Sequence, residues 1–152
     1  MNDLLTLWTV RLACIFYVAA LLTHSRLFWT AGLAAYLAHV AAAFTFHHGW
    51  SHSAAYSETA RQTAELFGTK SGAGIYFNYF FTAVWLADVV WLWTRPDSHR
   101  TRPRWITVSI HAFMAFMFFN ATVVFASGWT RWLGVAATAW LAGSRIKVQA
   151  RH

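Results

Sequence analysis

Four apolar stretches of this chain, residues 4–23, 27–48, 75–94 and 105–126, are each long enough to cross a lipid bilayer as one helix. A helix rises ~1.5 Å per residue, so about 20 apolar residues pass the hydrocarbon core; an open strand would leave its backbone polar groups unpaired in lipid. The constraint selects an all-α integral membrane bundle of four or five transmembrane helices. The fifth candidate, 129–143, is shorter, and either spans with its tryptophan ends in the interface or lies flat. Composition points the same way, with 58% of residues hydrophobic and 11% charged, unlike an ordinary soluble domain. The single cysteine, Cys14, excludes an intrachain disulfide and any multi-cysteine zinc or iron–sulfur site. No internal repeat or low-complexity linker divides the chain, which reads as one transmembrane domain, 1–152.

The segments between the spans set the topology. The N-terminus lacks the basic flank and cleavage pattern of a secretory signal, so the first stretch reads as a retained span. A very short turn, His24 to Arg26, makes the first two helices antiparallel neighbours. Residues 49–74 turn polar, and helical spacing puts His48, His52, Tyr56, Thr59 and Thr63 on one side of an amphipathic, extra-membrane helix. A glycine-rich turn, Gly68 to Gly74, follows it. Pro96 and Pro103 hold the ends of the connector Arg95 to Arg104 outside helix. With five spans, eight basic residues (Arg26, Arg95, Arg100, Arg102, Arg104, Arg145, Lys147, Arg151) share one side against three on the other (Arg61, Lys70, Arg131). The positive-inside rule then places the N-terminus outside and the tail in the cytoplasm, in a membrane such as a bacterial inner membrane. The net charge of +7 is thus a topology signal, and no nucleic-acid partner is expected. Most of the tryptophans fall near predicted span ends, as interfacial anchors do.

Chemistry concentrates in the string F-H-H-G-W-S-H, where His47, His48 and His52 stand in six residues at a predicted membrane boundary. Neutral imidazole is the commonest protein metal ligand and titrates near physiological pH, so such a cluster can hold a metal, a haem or a proton. His48 and His52, four apart on a helix, have the spacing of an H-x-x-x-H pair. His39, two turns earlier, could complete a zinc, copper or iron site together with His47. Interfacial histidines that only solvate and cap the helix are the plain alternative.

Polar residues inside the spans are the second signal, since they are expensive in lipid and usually functional. Asp88 lies six residues before Thr94 and His111 six after Trp105, which predicts a buried polar pair at similar depth across the connector. Counted from the turn at 24–26, Arg11 and His39 also come out level; a charged arginine there either meets an anion such as a haem propionate or snorkels outward. Tyr56 on the polar helix would line the same site.

The string His47-His48-Gly49-Trp50-Ser51-His52 is similar to one histidine box of the membrane desaturase and hydroxylase enzymes, which hold two irons with several such boxes. That family's pattern departs here, because His24, His99 and His152 fall on the opposite side of the membrane. A haem b held by one histidine on each of two helices, such as His39 and His111, needs fewer ligands. The functions that follow are a metal- or haem-binding protein with a redox or electron-transfer role, a metal-dependent membrane oxidoreductase if it is an enzyme. Two others differ in class: a small subunit or assembly factor of a larger membrane complex, and a proton-coupled carrier using Asp88, His111 and His39. Lipid surrounds it in each case, and so small a bundle suits a homo-oligomer.

Overall fold

The computed structural model describes residues 2–124, which are almost entirely helical and contain no strand among them. The fifth candidate span and the basic tail, including Arg131, Arg145, Lys147, Arg151 and His152, lie outside the described residues. Four helical segments, Leu4–Thr23, Arg26–His48, Gly74–Thr94 and Arg104–Val124, are long and apolar enough to cross a membrane. These bounds lie within two residues of those read from hydropathy. The chain divides into two compact units, Met1–Pro103 and Arg104–His152.

In the first unit, α1 (Asn2–Thr23) and α2 (Arg26–Ala43) are joined by a two-residue turn. Ser25 caps α2, its hydroxyl accepting from the Phe28 amide at 3.4 Å. His24 takes a left-handed backbone at φ 52°, a conformation that disfavours a Cβ by on the order of 1 kcal/mol. His24→Gly is therefore expected to raise stability by about that amount, and His24→Ala, which keeps the Cβ, to leave thermal melting in detergent unchanged.

α2 does not run as a regular helix to the histidines. Its last turn, Phe44–His48, widens to π-helix and closes with Gly49 at φ 54° and Trp50 at φ 58°. Glycine adopts that conformation freely, but a bulky tryptophan there is a true outlier. Ser51 then caps a new helix, α3 (His52–Phe67), accepting from the Ala54 amide at 3.3 Å. α3 ends at Gly68, also left-handed at φ 71°. Its exposed face carries Arg61 between Glu58 and Glu65, with Arg61 Nε donating to Glu58 at 2.9 Å. The guanidinium beside it holds the Glu58 carboxyl below its ordinary range.

The loop back to α4 (Gly74–Thr94) passes close over α3: a Cβ on Gly72 would sit 2.5 Å from the Tyr56 carbonyl oxygen, so only glycine fits. α4 runs antiparallel to α2, with Trp93 meeting Thr30 at one end and Thr82 meeting Tyr36 nearer the other. The core between these helices is aromatic. Trp85, with no exposed surface, packs on Trp29 (5.3 Å between ring centres), Phe81 (5.5 Å) and Tyr36 (5.9 Å), with Tyr17 of α1 at 6.4 Å. Gly32 lets α2 approach it.

The connector after α4 is not wholly irregular, as its two prolines had suggested. Pro96 starts a short helix, α5 (Pro96–Arg100), because a proline at the first helical position gives up only an amide that has no partner there anyway. The second unit opens with α6 (Arg104–Phe119), which passes into a π-helical turn, Asn120–Val124. His111 lies on α6 and Asn120 donates to the Phe116 carbonyl at 2.8 Å.

Candidate functional site

The first unit has a polar centre at each end. At one end stand the start of α1, the end of α2 with the π-helical turn after it, and α3, which carry His39, His47, His48 and His52. His39 is half-buried, and its Nδ1 lies 2.8 Å from the Thr6 carbonyl oxygen of α1. A carbonyl only accepts, so Nδ1 carries the proton, and Nε2 of the neutral ring keeps its lone pair. That second hydrogen bond is the feature that orients metal-ligating histidines and fixes their tautomer. A pocket of about 280 Å³ opens here, lined by Thr6, Leu7, Val10, His39 and His47. His39 and His47 thus border one cavity from positions two turns apart on α2.

His48 and His52 are placed differently from the sequence expectation. The left-handed pair Gly49–Trp50 breaks the helix between them, so the H-x-x-x-H spacing does not put them on one helical face. His48 turns its ring edge to Phe44, 5.5 Å away, and lies 6.4 Å from the His47 ring. His52 opens α3 instead, with Nδ1 2.9 Å from the Tyr79 hydroxyl and its ring within 6.3 Å of Tyr56 and 5.9 Å of Tyr76. These aromatic contacts tie α3 to α4. Tyr56 borders a separate cavity of about 550 Å³, with Arg61, Glu65 and Lys70, so it does not line the His39 pocket. Among the described residues, no three of His, Cys, Asp and Glu converge to hold one metal ion.

The Arg11 backbone stands five residues beyond the His39 contact on α1. His39 meets Thr6, more than a turn nearer the start of α1, while the Arg11 guanidinium lies 5.2 Å over the Trp8 ring. Arg11 thereby turns toward the same end of α1, the direction a snorkelling side chain takes.

The opposite end is built on Asp88. Asp88 is buried, with 4% of its surface exposed. Trp29 Nε1 of α2 donates to Oδ2 at 2.9 Å, the Arg102 guanidinium donates to Oδ1, and His99 Nε2 of α5 stands 3.2 Å from Oδ1. Arg102 Nη1 is also 2.9 Å from His99 Nε2. A guanidinium only donates, so His99 Nε2 accepts from Arg102 where that nitrogen carries its lone pair and donates to Asp88 where it carries a proton. Trp91 covers the group, edge-on to His99 at 5.7 Å and with Arg102 5.8 Å over its ring, while its Nε1 reaches Ser98 at 3.2 Å. His99 and Arg102 were read as loop residues and missed as a site. The expected partner of Asp88, His111, belongs to the second unit.

No family model, no curated protein and no solved structure matches the chain.

Proposed function

We propose that this chain is an integral membrane protein that binds a metal ion at its histidine-rich end, with His39 as the anchoring ligand and His47 as the second. The observation that carries this reading is the His39 Nδ1–H bond to the Thr6 carbonyl, which leaves Nε2 as an oriented lone pair on a ring bordering a cavity. Zinc, copper and iron all accept imidazole, and water or a small ligand would fill the positions the two histidines leave. His48 is an outlying candidate one residue further on, and His52 is committed to the tyrosines. A redox or electron-transfer role follows if the metal is copper or iron, since aromatic side chains surround the core behind it.

Haem b is the alternative resident, with His39 as an axial ligand and Arg11 for a propionate. A cavity of about 280 Å³ suits an ion with its small ligands better than a macrocycle. The carrier reading loses support, because Trp29 and Arg102 within the first unit already donate to the Asp88 carboxylate and His99 stands against it.

The test is an absorption spectrum with elemental analysis of protein purified in mild detergent without added metal. The expected result is stoichiometric copper, zinc or iron without a Soret band. A colourless, metal-free and folded protein that also fails to take up any of these ions contradicts the proposal and shifts the weight to a subunit of a larger complex.

A further inference from the structure

The Asp88 end of the first unit carries a second feature that the metal reading does not use. Arg26, at the start of α2, holds its guanidinium 4.6 Å over the ring of Trp93 on α4. The indole is itself fixed: Trp93 Nε1 donates to Thr30 Oγ1 at 2.9 Å, and Thr30 Oγ1 donates to the Arg26 carbonyl at 2.9 Å. Arg26, Trp93 and Thr30 therefore form a closed brace that holds a guanidinium over an indole ring at this end of the first unit. A cation held over an aromatic ring by its quadrupole keeps its N–H donors for other partners, and a guanidinium's forked donors suit phosphate oxygens.

Charge at this end is unbalanced. Arg102 is neutralised internally by Asp88, whereas Arg26, Arg95 and Arg100 are all exposed and face only one other acid of this end, Asp97. Arg95 follows Trp93 by two residues, so one exposed arginine lies over this indole in space and a second stands beside it along the chain. If α1, α2 and α4 span a bilayer, this end lies at headgroup level, where tryptophan anchors and arginine meets lipid phosphate.

We propose that Arg26 and Trp93, with Arg95 beside them, form a binding site for the phosphate of an anionic phospholipid. The inference rests on the membrane reading above but not on the metal. The guanidinium donates to the phosphodiester oxygens, the indole holds it in place, and the surplus positive charge selects an anionic over a zwitterionic headgroup.

Native mass spectrometry of the detergent-purified protein with dioleoyl phosphatidylglycerol and dioleoyl phosphatidylcholine tests it. The wild type is expected to retain the anionic lipid preferentially, and Arg26→Gln to weaken that preference about fivefold. Trp93→Leu, which leaves every charge in place, is expected to weaken it about twofold. Equal retention of the two lipids, or an Arg26→Gln variant with an unchanged preference, overturns the site. Displacement of the bound lipid by inorganic phosphate overturns the lipid as occupant. A protein that alkaline carbonate strips from membranes overturns the spans and the lipid site together, which separates that failure from the others.

Discussion

Asp88→Asn is expected to destabilise the protein by about 3–5 kcal/mol, the largest effect of any single change considered. The substitution keeps the shape and the acceptor for Trp29 but takes the Asp88 charge away from the Arg102 side chain, which is 6% exposed. Removing one partner of a buried pair strands the other, and that stranded charge, rather than the lost attraction, dominates the cost. A double-mutant cycle separates the two: Asp88→Asn combined with Arg102→Met removes both charges and is expected to recover a large part of the loss. His99→Ala should cost less, since Arg102 and Trp29 still hold the carboxylate. Unfolding in detergent by heat or by sodium dodecyl sulfate reads all three. An Asp88→Asn protein as stable as wild type would mean that the pair contributes nothing to fastening the connector onto the bundle.

Gly32→Ala is the second large effect, expected at about 1–3 kcal/mol. A Cβ at this position would stand 2.8 Å from Trp85 Cζ2, and Trp85 is wholly enclosed by Trp29, Tyr36, Phe81 and Tyr17. The ring cannot swing away, so either it leaves its rotamer or α2 moves off α4. Small residues at helix interfaces matter more in lipid, where burial against another helix gains little over burial in acyl chains and close packing supplies the attraction. Trp85→Phe removes the colliding atoms, so Gly32→Ala combined with Trp85→Phe should be more stable than the sum of the two single changes predicts. Strict additivity would show that Gly32 and Trp85 do not collide.

Both effects involve contacts that hydropathy cannot reveal. The four long apolar helices were legible because about twenty consecutive apolar residues have one helical solution in lipid. The break after His48 was harder to see, because H-x-x-x-H spacing looks continuous along a helix. Its local signs are nonetheless present, in Gly49 as a left-handed terminator and Ser51 as the cap of the next helix. Asp88 stands out in the sequence as an acid in an apolar span, and depth counting pairs it with His111 of the next span. A long arginine side chain and a helical turn started by Pro96 bring the connector back to Asp88 within the first unit, and depth counting has no measure of such a return. The lining of the His39 pocket by Thr6, Leu7 and Val10 depends on how α1 and α2 rotate about their axes. With spans apolar all round, that rotation leaves little trace in the pattern.

The claim that His39 and His47 hold a metal ion is tested most directly by titrating metal-free, detergent-purified protein with zinc and with copper, alongside His39→Ala, His47→Ala and His52→Ala. One equivalent of metal bound by the wild type and by His52→Ala, with affinity lost in His39→Ala and sharply weakened in His47→Ala, is the predicted result. Unchanged binding in His39→Ala, in a protein whose melting matches the wild type, would contradict it.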